Sequence, residues 1–284
     1  MHCILCYSRK ISYEEESHNI AKCAKCGLVF DNPAPRWEDI IAFYSKKNHY
    51  HQWEDRDKGM LSSAKRHLKM LRKHKKYGLI LEIGPGVSPF LSIAKRYFSV
   101  VGVDISARAE EVQKTRYDTT IVRRELKDID FIYKYDVIYM YHVLEHSPEP
   151  LELIRKCYDL LNKTGILVIA VPNEIYGLRF LAVRLLTILG VNRFKNYGRL
   201  GLPKLTLDGS LAEIHLSHFK DKVLVKALKG NGFKILENTL DPLYVAEGFR
   251  ECLHYALYLF CLIVYKVSRR NIYPAIWVVA KKEV

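Results

Sequence analysis

The chain has 284 residues, about half of them hydrophobic, with seven cysteines and a formal net charge of +14. That length suits one α/β domain with a small appendage. No run of about 20 uncharged apolar residues occurs, which argues against a spanning helix, and the N-terminal MHCILCYSRK lacks the hydrophobic region of a secretory signal. The basic balance points to an anionic partner (nucleic acid, an anionic membrane surface or an acidic substrate) or, more simply, to solubility.

Cys3, Cys6, Cys23 and Cys26 form C-x2-C-x16-C-x2-C. Two close thiol pairs match the tetrahedral ligand set of a zinc ribbon, and Gly27 permits a tight turn after the second pair. With all four positions filled by thiolates, the zinc is expected to be structural. Two disulfides or idle thiols are the alternative, and reduced ligands fit a cytoplasmic setting. Pro33 and Pro35 mark the exit from the ribbon. Trp37 to Tyr44 reads as a short amphipathic helix. Asp57 to Lys76 reads as a longer one, with Met60, Leu61, Ala64, Leu68 and Leu71 on one face and a row of lysines and arginines on the other.

The central stretch is LILEIGPGVSPFLSIAKRYFSVVGVD, Leu79 to Asp104. Leu79 to Ile83 predicts a buried strand. Gly84, Pro85 and Gly86 break it. Ser88 can cap a helix through Phe90, Leu91, Ile93 and Ala94, and Val100 to Val103 predicts a second strand, ending on Asp104. Strand, glycine turn, helix, strand, acid is the pattern of a parallel crossover that lets a ligand approach the backbone, with an acid about 20 residues on for a ribose diol. Glu82 stands where dinucleotide-binding turns usually carry an apolar residue, and Pro89 replaces the third glycine of G-x-G-x-x-G. Both details argue against a bound pyrophosphate.

Further on, Ser106 can cap a helix through Lys114, and Thr119 to Val122 is a short β-branched strand. Tyr135 to Tyr141 predicts a fourth strand running into YHVLEHSPEP. Pro148 to Leu161 is helical, and Ile166 to Val171 is a fifth strand closing on Pro172, Asn173 and Glu174. Ile175 to Phe194 is an apolar insertion interrupted by Arg179, Arg184 and Arg193. EIHLSHFK, Glu213 to Lys220, leads to a helix from Lys222 to Lys229 and a strand from Phe233 to Leu236. Phe249 to Val267 is the most hydrophobic stretch, too short to span, and Ile272 to Ala280 is the last strand.

E-x-G-x-G before a strand ending in acid, followed by HVLEHSPEP, resembles the class I S-adenosylmethionine-dependent methyltransferases from about Gly78 onward. The second motif is closest to the small-molecule type, including the ubiquinone-biosynthesis O-methyltransferases. CAKCGLVFDNPAP with WEDIIAFYSKKNHY is similar to a zinc-ribbon leader found on some of them. The resemblance implies an α/β, Rossmann-like seven-stranded sheet with helices on both faces, the last strand antiparallel and inserted between the fifth and sixth, plus a small N-terminal zinc ribbon. The expected organisation is 1–35 zinc ribbon, 36–77 helical leader and 78–284 methyltransferase domain, with a hydrophobic insertion at about 175–212.

The resemblance assigns cofactor binding to Glu82, Gly84, Pro85, Gly86, Asp104, Ile105, Tyr141 and His142. Asp104 would take the ribose hydroxyls. An acid after the third strand would meet adenine, with Glu125 and Asp128 as candidates that the residues alone do not separate. His142, Glu145 and His146 would lie near the sulfonium. An oxygen acceptor needs a base, for which His146 comes first, then His215, with Glu145 positioning the acceptor. Tyr50, His51 and Trp53 would either fold over the pocket or pack leader against core.

The implied activity is methyl transfer to a small-molecule or lipid-linked acceptor. The two hydrophobic segments beside basic flanks favour a peripheral membrane setting, with core packing or pairing of two copies as the other readings. Zinc plus basic charge would also suit an RNA methyltransferase. The N/D-P-P-Y motif of nucleic-acid amino-methyltransferases is absent, which argues against that reading. A non-catalytic scaffold binding zinc and cofactor is the third.

Overall fold

The computed structural model describes residues 2–45, 57–125, 128, 133–194, 196–242 and 249–283. Tyr50, His51 and Trp53 fall outside the described residues. Two sheets organise the rest. The N-terminal one contains β1 (Ile11–Glu15), β2 (Ile20–Cys23) and β3 (Val29–Asp31), each antiparallel to the next. The leader helix α1 (Trp37–Tyr44) and α2 (Asp57–Leu71) follow.

The large sheet begins at β4 (Gly78–Ile83) and continues through α3 (Phe90–Ala94), β5 (Phe98–Asp104), α4 (Ala107–Tyr117), β6 (Ile121–Arg123), β7 (Tyr135–Tyr141), α5 (Pro150–Leu160) and β8 (Leu161–Pro172). After helix α6 (Leu178–Ile188) comes β9 (Ser217–His218), which joins the ribbon sheet beside β3. Then α7 (Asp221–Gly230), β10 (Phe233–Leu240), α8 (Phe249–Ser268) and β11 (Ala275–Lys282) complete the chain. The seven strands lie in the order β10-β11-β8-β7-β4-β5-β6. β4, β5, β6, β7 and β8 are mutually parallel, whereas β11 runs antiparallel between β8 and β10. This is the Rossmann-like arrangement that the resemblance implied.

Period-2 alternation divides each central strand between two cores. Leu81, Ile83, Ile138, Met140, Leu167 and Ile169 face Ile154, Cys157, Leu224 and Leu228 of α5 and α7, together with Phe30 of the ribbon. Ile80, Val137, Tyr139, Val168 and Trp277 face Ala64, Leu68 and Leu71 of α2 and Phe90 and Ala94 of α3. The sheet is therefore covered on both faces, as a parallel sheet must be. Gly102 in β5 makes this close approach feasible, because a Cβ there would stand 2.6 Å from Ile121 Cγ2 and 2.7 Å from Leu91 Cδ1.

Several boundaries differ from the sequence expectation, three of them for reasons that the local contacts show. α2 ends at Leu71 rather than Lys76. Lys73 N–H bonds Met70 O and His74 N–H bonds Leu71 O, the tightened bonds of a closing turn, and Lys75 is drawn to Asp136 of β7 at 3.1 Å. β8 starts at Leu161 because that residue already pairs with Tyr135. The helix after the glycine turn is five residues long with Pro89 at its N-cap, although Ser88 Oγ does accept the Phe90 N–H at 3.2 Å.

One carboxylate interrupts the apolar run of β4. Glu82 is 1% exposed, and its Oε2 has no hydrogen-bond partner among the described residues. Burial, with the Asp104 charge acting the same way, holds its pKa well above the ordinary carboxylate range. A carboxyl with a raised folded pKa contributes stability below its unfolded pKa and loses it as pH rises through the folded one. Glu82→Gln should therefore match the wild type near pH 4 and exceed it at pH 8 by roughly 1–3 kcal/mol, the cost of an unpartnered buried acceptor. Urea denaturation at the two pH values checks this. A wild type more stable than the variant at pH 8 contradicts it.

Candidate active site

The carboxyl ends of β4, β5 and β7 open into a cavity of about 1390 Å³. It lies at the switch of strand order, where β4 neighbours both β5 and β7 and where open α/β sheets bind ligands. Its wall includes Gly84, Pro85, Gly86, Asp104, Ile105, Glu125, Tyr141, His142, His146 and His215. Most of the residues singled out in the sequence thus share one wall. Glu82 and Glu145 stand behind it, and Asp128 is exposed away from it.

The glycine turn builds one end. Gly84 has φ of +67°, and a Cβ there would stand 2.6 Å from Val143 Cγ2. A side chain would therefore fill the space between the turn and the β7 loop. Gly86 N–H donates to Asp104 Oδ2 at 2.9 Å, and Ser106 N–H donates to Oδ1 at 2.8 Å. Burial raises the Asp104 pKa, and these backbone bonds oppose it. Three residues that pattern reading passed over secure the turn from below. Gln113 Nε2 donates to Gly86 O at 3.0 Å and Ser88 O at 2.8 Å, Thr119 Oγ1 donates to Gln113 Oε1 at 2.6 Å, and Tyr117 OH donates to Val87 O at 3.0 Å.

Histidines and carboxylates build the other end. His142 has φ of +53°, a strained conformation for a side chain of its size, and its Nδ1 lies 3.0 Å from Glu145 Oε1. His146 Nδ1 donates to Ile214 O at 2.6 Å and meets Tyr44 OH at 2.7 Å. His146 and His215 have ring centroids 4.8 Å apart. His215 Nδ1 bonds Glu174 Oε1 at 2.7 Å, and His218 Nδ1 bonds Glu174 Oε2 at 2.6 Å. His218 Nε2 then bonds Asp31 Oδ2 of the ribbon at 3.1 Å.

His218 therefore bridges two carboxylates. Burial lowers its pKa, but Glu174 and Asp31 outweigh this and raise it to about 9. Burial likewise raises the Glu174 carboxyl, and His215 and His218 more than offset it, holding Glu174 well below the usual range. His146 is pushed down by burial, with the Glu145 charge in opposition. Sequence reading singled out His142, Glu145, His146 and His215 here. It missed Tyr44, Glu213 and Asp31, whose only sequence signal is a polar residue at the end of an apolar element.

Among the described residues, two clusters have metal-ligand spacing. The ligand atoms of Cys3, Cys6, Cys23 and Cys26 all lie within 4.8 Å of one another, and so do those of Glu145, His146 and His215. In the ribbon, Leu5 N–H points at Cys3 Sγ and Leu28 N–H at Cys26 Sγ, each at 3.5 Å, the outer bonds that orient thiolate ligands.

Known proteins place this geometry. The methyltransferase domain family matches residues 51–238. The ubiquinone biosynthesis O-methyltransferase of Actinobacillus pleuropneumoniae serotype 7 is 31% identical over 124 residues, which cover 39% of this chain and 50% of the relative. The match thus spans only half the length of that curated protein. Among solved structures, magnesium protoporphyrin IX methyltransferase from Synechocystis PCC 6803 with bound SAH superposes at a TM-score of 0.52 and 16% identity, over 86% of this chain and all of that one. An S-adenosylmethionine-dependent methyltransferase from Mesorhizobium loti gives 0.52 at 15% identity, over 78% of this chain and 98% of its own. The chain belongs to the methyltransferase domain family and shares the class I fold of its S-adenosylmethionine-dependent members.

Proposed function

We propose that this protein transfers a methyl group from S-adenosylmethionine to a small-molecule or lipid-linked acceptor at an anionic membrane surface, with a structural zinc in its ribbon. The observation that carries the reading is the cavity itself. It joins a glycine turn whose N–H holds Asp104 to a cluster of histidines about the E-H pair of HVLEHSPEP. The proposed organisation is 1–35 ribbon, 36–77 leader and 78–284 methyltransferase domain, on the cytoplasmic side of a membrane.

The residues fit the cofactor. The left-handed turn lets Val143 pack against Gly84 and leaves the backbone of Gly84, Pro85 and Gly86 on the cavity wall, where the cofactor's amino-acid portion would lie, and the remaining lone pairs of Asp104 suit ribose hydroxyls. Glu125, on the wall, suits adenine better than the exposed Asp128. The bound cofactor supplies an electrophilic methyl on a cationic sulfur. The protein then has to align the acceptor, exclude water and, for a hydroxyl, take up the proton. His146, Glu145 and His215 are the groups for that task. The four ribbon thiols fit zinc, which would hold β9 and its His218 beside the cavity.

Exposed apolar helices support the membrane setting. In α6, Leu185 is 57% and Ile188 64% exposed, and in α8, Ile263 is 63% and Val267 82% exposed. Arg179, Arg184, Arg193, Lys266, Arg269 and Arg270 are exposed around them. Among the described residues no helix is long and apolar enough to cross a membrane, so contact would be interfacial. Arg179 and Phe180 of α6 and His254 and Leu257 of α8 also line the cavity, so an acceptor with a lipid tail could enter from that surface.

Radiolabelled methyl transfer into a source-cell extract tests the acceptor class. Label is expected in the organic pool. Label in RNA, or none above a Gly84→Arg control, overturns the reading. Asp104→Ala should weaken S-adenosylhomocysteine binding about ten- to hundredfold, the loss of charge-assisted hydrogen bonds, as measured by calorimetry. Unchanged affinity would remove Asp104 from the cofactor site. In vesicle sedimentation at low salt, the protein should pellet with phosphatidylglycerol vesicles, and a Leu185→Asp, Ile263→Asp double variant should bind at least about fivefold less, since apolar insertion adds to roughly 1 kcal/mol per surface cation. A protein that ignores vesicles and sediments as a dimer through these helices refutes the membrane assignment.

A further inference from the structure

The basic residues of α2 and of the turn after it take no part in the cavity, which meets this helix at Met60, Ser63, Ala64 and His67. They lead instead to the opposite end of the large sheet. The cavity opens at the carboxyl ends of β4, β5 and β7. The amino ends of these strands form the other edge, and strand register decides which residues stand side by side there. Gly78 of β4 pairs with Phe98 of β5. Tyr77 and Tyr97, each one residue earlier, are therefore neighbours, with backbones about 4.8 Å apart. Ile80 of β4 pairs with Val137 of β7, which puts Lys134 on the other side of Tyr77. Leu161 of β8 pairs with Tyr135, and Lys163 stands in the irregular stretch before Ile166. Ile166 pairs with Lys281 of β11, and Lys281 with Lys234 of β10. The edge thus reads Lys234, Lys281, Lys163, Lys134, Tyr77 and Tyr97 across six neighbouring strands, a row of about 24 Å.

The charge of this edge is one-sided. Lys73, Lys76, Arg96, Lys163, Lys234 and Lys281 are exposed, and among the described residues they form no ion pair. The nearby carboxylates are mostly engaged: Asp136 with Lys75 at 3.1 Å, Asp118 with Lys95 at 2.8 Å and Glu237 with His74 at 2.8 Å. Asp159 and Glu283 are the exposed acids that remain there. Aromatic rings are interleaved with the cations. Tyr77 is 74%, Tyr133 68% and Tyr97 43% exposed. The Arg72 guanidinium carbon lies 3.5 Å from the centre of the Tyr97 ring, which holds that ring in place.

We propose that this edge binds single-stranded RNA, with its lysines and arginines on phosphates and its tyrosines under bases. Insertion into a bilayer uses a contiguous apolar face, such as α6 and α8 offer. Here the apolar groups are separate rings set between charges, the arrangement that carries successive bases along a cationic track. A duplex keeps its base faces stacked inside and would leave the tyrosines unused. Because the edge and the cavity lie at opposite ends of the parallel strands, the RNA is an anchor and not the methyl acceptor. It would stay unlabelled in a methyl-transfer assay, and its binding does not depend on the methyl-transfer reading.

Fluorescence anisotropy of the full chain with a fluorescein-labelled oligouridylate of about 12 nucleotides tests this. Saturable binding is expected, weakening with salt at a slope of about −3 in log K against log salt, as for about four phosphate contacts. A Tyr77→Ala, Tyr133→Ala double variant should lose at least about tenfold in affinity. A Lys76→Glu, Lys163→Glu double variant should bind more weakly and with a slope smaller by about 1. Both variants should keep wild-type S-adenosylhomocysteine binding, which also reports that they are folded. Polyphosphate of equal charge offers no bases, so it should bind the wild type more weakly than RNA and be indifferent to the tyrosine variant. Absence of saturable RNA binding by the wild type overturns the proposal. So does polyphosphate binding as tight as RNA with no effect of the tyrosines, which would mark a non-specific cationic surface. RNA that displaces S-adenosylhomocysteine would belong in the cavity instead. Loss of phosphatidylglycerol-vesicle binding in the lysine variant, with RNA binding unchanged, would give this edge to the membrane.

Discussion

The bond from Gly86 N–H to the Asp104 carboxylate fixes the cavity. β4 and β5 are adjacent parallel strands, and this bond ties the turn after one to the last residue of the other. It requires a left-handed backbone at Gly84 and Gly86, which few side chains tolerate. It also requires the turn to stay in place, and the buried Gln113, bonded to Gly86 O and Ser88 O, holds it from α4. With the turn fixed, Val143 packs where a Gly84 side chain would be, and the β7 loop with His142 and His146 is set opposite Asp104.

The ribbon is bonded into the catalytic half rather than tethered to it. Its sheet gains a fourth strand from Ser217–His218, and its core shares Phe30, Cys3 and Cys23 with the strands and helices of the large sheet. Its last strand ends in Asp31, which is bonded to His218. Tyr44, the last residue of the leader helix, meets His146. Two N-terminal elements therefore supply partners to this histidine cluster: Tyr44 to His146 on the cavity wall, and Asp31 to His218 behind it. A chain that kept the same large sheet but lost the ribbon would leave Glu174 and His218 without their outer carboxylate, so the ribbon has a defined role in local electrostatics as well as in folding.

Patterns that depend on backbone geometry or on short-range spacing were legible before any coordinates. Four cysteines in two C-x2-C pairs meet in space because each pair is already a turn. The glycines declare left-handed positions, and alternation in β4, β7 and β8 marks buried strands. Polar partners from distant segments were not legible. Tyr44 and His146 are 102 residues apart, and Asp31 and His218 are 187 apart; no local period links either pair. Gln113 lies on a helix whose pattern reads as polar, yet it is fully buried because its amide satisfies two carbonyls of the turn. The early stop of α2 is likewise tertiary, set in part by the pull of Asp136 on Lys75.

The same distinction explains the two hydrophobic helices. Their composition alone allowed core, dimer or membrane. In the fold, α8 buries only a stripe, with Cys261 and Tyr265 packed against Leu240, Tyr273 and Ala275, while Phe260, Ile263 and Val267 face outward. α6 buries no residue fully. A helix that packs by one narrow stripe and leaves large apolar side chains outside loses hydrophobic free energy that a second surface would recover. Basic residues surround these faces, and both helices also contribute to the cavity wall. An anionic lipid surface, the partner proposed for these helices, would recover that apolar area and suit the basic residues around it.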